Sequence, residues 1–259
     1  MNTFQNLLTL AGVSIAGVAS AQVSFTGSPL SQNFDTMGFT APASYPDGWS
    51  GFRYAGSGTV GALTLSVTDG TSNSGALYSV GSLNSSERAL GALGSSSTIG
   101  RFGLQIANNS GGFFNVVDIG GVAEQWRSGS SSAVTEKLEF ELSFNATGVN
   151  DATATWTKFS ALDIVEVQNS LTSNAALNGN DPANFKAFSA SLTGFQWESG
   201  AIATLRWSDA NDTGSDAILA LDNFTFSASS VAPVPEPSTW ALFGAGVIGL
   251  GLVVRRKCK

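Results

Sequence analysis

Residues 137–144, with the sequence KLEFELSF, alternate polar and apolar side chains without a break. Because successive side chains of a β-strand point to opposite faces, this period of two places Leu138, Phe140, Leu142 and Phe144 on one face. Four large apolar side chains on one face predict that this face is buried against a second layer. The polar residues between them predict a face that meets solvent.

Short apolar runs recur along the rest of the chain, separated by clusters of Gly, Ser, Asn and Asp that are typical of turns. Helical periodicity is hard to find between them. The runs are 63–67, 102–106, 113–119, 155–159, 188–192, 202–207 and 218–226. Many short strands with regular turns predict an all-β fold, a two-sheet antiparallel sandwich of the jelly-roll type. Residues 170–184 are polar, and we expect a surface loop there.

The composition limits the chemistry of this fold. The chain has no histidine, and its only cysteine is Cys258. The region before the C-terminus therefore has no disulfide, no thiol nucleophile, no Cys/His zinc site and no Ser-His-Asp triad. Residues 22–229 contain 8 Lys and Arg against 18 Asp and Glu, a net charge of -10. This charge disfavours nucleic acid as a partner and favours cations or neutral polymers.

The N-terminus has the pattern of a signal peptide. Residues 7–18 form an apolar run, and Ala19 and Ala21 supply the small-x-small pattern before Gln22. The first six residues contain no Lys or Arg, so the α-amino group is the only positive charge there. We expect a signal helix over residues 1–21 and a single sandwich ectodomain over residues 22–227.

The C-terminus has a polar motif, an apolar run and a basic cluster in that order. The apolar run 240–254 would span about 22 Å as a helix, somewhat less than the roughly 30 Å of a bilayer core. The positive-inside rule places the basic end in the cytoplasm. We therefore predict a linker over 228–239, and a single transmembrane helix with a basic tail over 240–259. The motif is Pro235, Glu236 and Pro237, and the basic residues are Arg255, Arg256, Lys257 and Lys259.

This order resembles the PEP-CTERM signal of Gram-negative bacteria that build extracellular polymer matrices. The resemblance implies an exported substrate of an exosortase, a membrane peptidase that would cut near Pro235, Glu236 and Pro237. It further implies a precursor in the inner membrane and a product at the cell surface, in a biofilm matrix or secreted. The resemblance predicts the destination of the protein and a processing step, and it does not predict the function of the ectodomain.

A second resemblance lies within the ectodomain. Five short segments are similar to segments of sandwich ectodomains in other PEP-CTERM proteins: 87–91, 124–127, 177–180, 205–209 and 221–224.

Two of these segments place Trp beside Arg, as Trp126-Arg127 and Arg206-Trp207. We expect each Trp to fill the core and each Arg to pair with a carboxylate such as Glu124 or Asp209. The alternative is an aromatic platform for a ligand.

Two places in the sequence suggest calcium. Residues 209–216 resemble the start of a calcium loop, but the twelfth position is Ala220 and not Glu, which excludes an EF-hand. The favoured interpretation of this segment is a hairpin loop with Asx-turns. In jelly-roll carbohydrate-binding modules a structural calcium often joins acids of the first and last strands. That resemblance makes Asp35 and Asp222 candidate ligands of a structural calcium. No other cofactor is predicted.

Two classes of function agree with these features. The first is a non-enzymatic protein of the cell surface or extracellular matrix that binds polysaccharide, and this is the one we expect. The alternative is a glycan-active enzyme on a jelly-roll scaffold, with two carboxylates such as Glu124 and Glu198 in one concave face. Such a pair must lie about 5 to 9.5 Å apart. Glu139 and Glu141 also share a strand face, and we expect that face to meet solvent.

Overall fold

The computed structural model describes residues 22–130, 134–169 and 172–231. The predicted signal peptide, most of the predicted linker and the predicted transmembrane helix with its basic tail lie outside these residues. Within the described part, no helix has the length and apolar character needed to cross a membrane.

The described residues fold almost entirely into strands, joined by turns and two single-turn 3₁₀ helices at Asp35–Met37 and Ser160–Leu162. The all-β prediction is confirmed. The strands are β1 Val23–Phe25, β2 Leu30–Gln32, β3 Trp49–Ala55, β4 Gly61–Ala62, β5 Ser66–Thr68, β6 Ala76–Val80, β7 Ala89–Leu93, β8 Ile99–Asn108, β9 Val116–Arg127, β10 Lys137–Ser143, β11 Thr157–Lys158, β12 Ile164–Val165, β13 Phe185–Leu192, β14 Ile202–Ser208 and β15 Ile218–Ser229.

The strands form two sheets that pack face to face. Sheet A has the order β11-β10-β14-β8-β3-β4, with β1 also on β8 and β12 also on β10. Sheet B has the order β13-β9-β15-β7-β6-β5, with β2 also on β15. The predicted sandwich is confirmed, with one difference: β1 pairs with β8, and β5 with β6, in parallel. The other pairs are antiparallel.

Strand β10 lies as its sequence pattern predicts. Leu138, Phe140 and Leu142 are buried in the core between the sheets. On the other face, Glu139 is 41% exposed in its side chain, while Glu141 is only 12% exposed because it pairs with Arg206. The guanidinium Nη2 of Arg206 lies 2.6 Å from Glu141 Oε2.

The core is rich in aromatic rings, and Trp207 on β14 is fully buried among them. Its ring centroid lies 4.9 Å from that of Phe140 and 5.9 Å from that of Phe102. Its indole Nε1 donates a hydrogen bond of 3.0 Å to the backbone oxygen of Leu162. The core is thus closed by tight aromatic packing and a satisfied indole, which explains stability without a disulfide.

Some predicted strands are shorter than the sequence pattern indicates. Only residues 66 and 67 of the run 63–67 lie in a strand, β5, and Leu65 makes an isolated bridge with Ala43. Only two residues of 155–159 lie in a strand, as β11. The strand β15 runs through Ala228 and Ser229, the first two residues of the predicted linker. The described part of the predicted loop 170–184 has no strand.

Candidate metal centre

The outer face of sheet B carries a small second core, distinct from the core between the sheets. It is formed by buried residues of β6, β7, β9 and β15: Tyr78, Val80, Ala89, Leu93, Trp126, Ile218 and Ala220. Three carboxylates lie on this same face, at Glu87, Glu124 and Asp222. We call these three residues the acidic triad.

Asp222 is placed by an irregularity in β15. The register with β9 shifts between Asp222 and Thr225, and Asn223 has a positive φ of 47°. Asp222 is opposite Val122, and Glu124 is opposite Ala220, so both acids lie on adjacent strands of one face. A bulge of this kind turns a side chain away from the regular strand direction, and bulges are frequent next to functional sites.

Glu87 comes from the turn just before β7, and a loop lies close above it. The side-chain amide of Asn180 donates a hydrogen bond to Glu87 Oε2. Next to Asn180, Gly179 lies against the indole of Trp126 so closely that a Cβ there would be 2.3 Å from its Nε1. A side chain at this position would have to displace the indole, so the loop packs closely on the triad's side of the sheet.

The triad is compact and shielded from water. One carboxylate oxygen from each of Glu87, Glu124 and Asp222 lies within 4.8 Å of the others. Glu124 is 3% exposed and Asp222 is 5% exposed. Glu124 Oε2 accepts a hydrogen bond of 2.8 Å from Trp126 Nε1. Asp222 Oδ1 is buried and has no hydrogen-bond partner among the described residues. A buried acceptor without a partner is uncommon, and Asp222 Oδ1 is therefore available to a ligand.

Burial and mutual repulsion both act on the ionisation of the triad. Burial raises the pKa of Glu124 to about 8, the hydrogen bond from Trp126 opposes this rise, and the charges of Asp222 and Glu87 add to it. Burial also raises the pKa of Asp222 to about 7, with further contributions from Glu87 and Asp35. The protein thus holds acids together where their ionised forms are disfavoured.

No ion pair within the described residues involves the triad. The ion pairs found there use Glu139, Glu141 and Asp163 as their acids. Arg88 follows Glu87 directly, and the charge of Glu87 partly opposes the lowering of the Arg88 pKa by burial, but the guanidinium donates to Ser79 Oγ and to backbone oxygens and not to a triad carboxylate. The triad therefore has a local excess of negative charge.

Of the two calcium ligands predicted from the sequence, only Asp222 belongs to the triad. Asp35 lies close enough for its charge to raise the pKa of Asp222. Both oxygens of Asp35 already accept hydrogen bonds: Oδ1 from the backbone N–H of Arg88 at 3.1 Å, and Oδ2 from the amide of Asn33. Of the predicted pair, Asp222 is therefore part of the triad and Asp35 lies beside the triad. Calcium binding stays a prediction.

The segment 209–216 forms a hydrogen-bonded loop. Asp209 Oδ1 accepts the N–H of Ala210 at 2.8 Å, and Asp216 Oδ1 accepts the N–H of Asp212 at 3.2 Å. Buried Asp216 has its pKa raised to about 6, chiefly by desolvation. The predicted hairpin loop is wrong, because this loop connects β14 of sheet A to β15 of sheet B, and neither hydrogen bond joins residues two apart as in an Asx-turn.

The two Trp-Arg pairs have structural roles, but their partners differ from the predicted ones. Arg206 pairs with Glu141 and not with Asp209, because these two residues are directly opposite on β14 and β10. Glu124 accepts from Trp126 and not from Arg127, whose Nη2 donates to Asn174 Oδ1 at 2.6 Å. Both indoles are buried, so neither offers a platform to a ligand.

The carboxylate pair suggested for an enzyme does not converge. Glu124 is opposite Phe185 near the end of β9, whereas Glu198 follows Trp197, which bridges to Phe114 before the start of β9. About ten residues of extended chain separate these two levels, roughly 30 Å. Glu198 is exposed and accepts a hydrogen bond from Gln196.

Sequence reasoning did not identify Glu87 and Glu124 as partners of Asp222. A signal was present, because four of the five segments noted in the sequence meet at the triad: 87–91, 124–127, 177–180 and 221–224. Their meeting depends on pairing between strands that are far apart in the chain.

A comparison with known families decides the meaning of the C-terminus. The family model for the PEP-CTERM protein-sorting motif matches residues 233–257. This chain carries a PEP-CTERM sorting motif. The PEP-CTERM motif indicates a secreted protein that an exosortase processes, as the sequence resemblance predicts. It covers the tail alone, and no curated protein matches the sequence.

Several solved structures resemble the fold of this chain at low identity. A xylan-binding module of family CBM15 has a TM-score of 0.38 and 12% identity, over 80% of this chain and 99% of that one. A CBM22 tandem domain of Xyn10C from Paenibacillus barcinonensis has a TM-score of 0.37 and 13% identity, over 85% of this chain and 50% of that one. The K3 cleaved adhesin domain of Lys-gingipain from Porphyromonas gingivalis has a TM-score of 0.38 and 13% identity, over 70% of this chain and 93% of that one. At such low scores we carry nothing over from these proteins to this one.

Proposed function

We propose that the protein is a non-enzymatic component of the cell surface or extracellular matrix whose ectodomain binds a neutral polysaccharide. The sorting motif at residues 233–257 is the observation that carries the proposal. Export takes the sandwich to the compartment where polysaccharides are the abundant polymers. The precursor is held in the inner membrane by the apolar run 240–254 until the exosortase cuts near the motif.

The charge of the ectodomain supports a neutral polymer. Its net charge of -10 over residues 22–229 repels nucleic acids and acidic polysaccharides. Hydroxyl-rich neutral glycans lack that repulsion and are bound through hydrogen bonds to amides and hydroxyls.

A polar cleft at one end of the sandwich offers such groups. It has a volume of about 850 Å³, and residues from several separate segments line it. Within the described part of the chain, the side-chain amides of Asn73 and Asn211 have no hydrogen-bond partner and are exposed, whereas Asn174 accepts from Arg127. We place polysaccharide binding in this cleft, because unpaired amides that face an open volume match the hydroxyls of a sugar.

The sorting step is tested by changing Pro235, Glu236 and Pro237 to Ala in the native host. We expect export to continue and the full-length protein to stay in the inner membrane. The measurement is immunoblotting of membrane, surface and medium fractions. Arrival of the altered protein at the surface in its native, shortened size would contradict sorting by this motif.

Polysaccharide binding is tested with a glycan array and the protein released by the host. We expect neutral glycans to be bound and acidic ones to be refused. Changing both Asn73 and Asn211 to Ala should weaken binding. Asn109→Ala should leave it unchanged, because Asn109 follows the end of β8 that lies away from the cleft residues Ser95 and Ser96. The absence of binding to any glycan would contradict the proposed binding site, and so would equal binding by the double variant and by Asn109→Ala. Release of reducing sugar during the assay would contradict a non-enzymatic role.

A further inference from the structure

The acidic triad has features that the proposed function does not use. Its three carboxylates come from separate parts of the chain: the turn before β7, β9, and the irregular part of β15. Two of the three are almost completely buried, and Asp222 Oδ1 has no partner among the described residues. Exposed carboxylates on a protein surface move apart into solvent because their charges repel one another. These acids are held together by strand pairing and by the loop that carries Asn180.

Physical chemistry offers two ways to stabilise such a cluster. One is protonation of a carboxyl group, whose hydroxyl can donate to a neighbouring carboxylate but which leaves the other acids facing one another. The other is a cation among the oxygens, which neutralises the repulsion and occupies the unpaired oxygen. A basic side chain could have supplied that cation, but none of the described Lys or Arg side chains pairs with the triad.

We propose that Glu87, Glu124 and Asp222 bind a calcium ion that joins β7, β9 and β15 on the outer face of sheet B. This proposal does not depend on polysaccharide binding. The donors are all oxygens, which suits a hard cation and disfavours zinc or copper. They come from a turn as well as from strands, an irregular arrangement that calcium accepts because its coordination is variable. Magnesium requires a near-octahedral arrangement and keeps its water.

The ion acts on the fold and on the loop above it. It links the strand β7 to β9 across β15, and Asn180 connects Glu87 to the loop that packs on Trp126. Asp35 is a neighbour and not a ligand in this arrangement, since it is not part of the group of mutually close carboxylate oxygens and its own oxygens accept hydrogen bonds from Arg88 and Asn33. Calcium therefore stabilises the ectodomain and has no part in a reaction.

The first test follows thermal unfolding of the full-length protein in mild detergent, after a chelator has removed metal. We expect calcium at roughly a hundredfold excess over Kd to raise the melting temperature by about 5 to 10 °C, and magnesium to raise it less. Asp222→Asn keeps the shape of the side chain and should lose this shift. Asp118→Asn, on the same strand as Glu124 but outside the triad, should keep it.

A second test needs only the wild-type protein and one tryptophan variant. Terbium ions occupy calcium sites and emit when a nearby indole is excited, and Trp126 Nε1 lies 2.8 Å from Glu124 Oε2. We expect sensitised terbium emission that added calcium displaces. Trp126→Phe should reduce the emission.

The results that overturn the site are distinct from failure of the proposed function. A melting temperature of the wild type that calcium does not change overturns it, and so does an equal shift in Asp222→Asn. If Asp222→Asn does not fold, terbium emission that is absent or that calcium does not displace overturns it. Asp35→Asn should weaken binding less than Asp222→Asn, and the reverse order would make Asp35 the ligand instead.

Discussion

Glu136 should make the protein less stable as the pH rises through neutrality. This residue is only 6% exposed, and its Oε2 accepts the backbone N–H of Ala217. Burial raises its pKa from 4.5 to about 7, the hydrogen bond from Ala217 opposes the rise, and the charges of Asp216, Glu166 and Asp212 add to it. Removing the charge with Glu136→Gln keeps the size and one acceptor oxygen.

The sign follows from linkage. A carboxyl whose pKa is higher in the folded state than in the unfolded state binds more protons when folded between the two values. Its stabilising contribution is complete below about pH 4.5, decreases as the pH rises, and is lost above about pH 7. Between about pH 5 and pH 8 the loss is about 2 to 3 kcal/mol for this one group.

The assay is urea denaturation of wild type and Glu136→Gln at several pH values, with chelator present so that metal does not contribute. Other acids titrate in both proteins, so their effects cancel in the difference. We expect the variant to gain about 2 to 3 kcal/mol relative to wild type between about pH 5 and pH 8. Glu139→Gln is the control, because exposed Glu139 has its pKa lowered by hydrogen bonds from Lys158 and Lys137. Its difference from wild type should not change over this range. A constant difference for Glu136→Gln as well would refute the reasoning.

Three further predictions concern stability. Trp207→Ala should lower the free energy of unfolding by about 3 to 5 kcal/mol, because the indole is fully buried. Trp156 is half-buried, and Trp156→Ala should lower it by about 1 kcal/mol. Equal losses in urea denaturation would contradict the packing described. Gly179→Ala should cost about 1 to 3 kcal/mol because a Cβ meets the indole of Trp126, and Gly148→Ala, with open space around it, should be neutral in the same assay. Residues 22–229 alone, without reductant, should show a β-type circular dichroism spectrum and a cooperative melt, and a disordered spectrum with calcium present would be inconsistent with the sandwich.

The elements that depend on local alternation could be predicted from the sequence. The alternation of apolar and polar residues in β10 predicts which face of the strand is buried. The apolar runs of β8, β14 and β15 lie within the observed strands. The three-residue strands β1 and β2 could not be predicted, because a run of three residues has too few alternations to distinguish it from a loop.

The candidate site was predictable only in part, because its geometry depends on register. Asp222 could be named as an acid of the last strand, but its irregular pairing and the positive φ of Asn223 have no signature in the residue types. Arg206 shows the same limit. Its partner Glu141 follows from being directly opposite on the neighbouring strand, and not from closeness along the chain.

The place of the last two strands has a consequence for export. Strand β14 lies between β10 and β8 in sheet A, and β15 lies between β9 and β7 in sheet B. Without these strands each sheet is divided into halves that have no pairing with one another, so the chain up to residue 201 cannot complete either layer. Secretion threads the chain through the membrane from its N-terminus, and the sandwich can therefore close only after nearly all of it has emerged. The order of the strands thus predicts that a chain exported from its N-terminus completes its sandwich only when residue 229 is outside, four residues before the sorting motif begins.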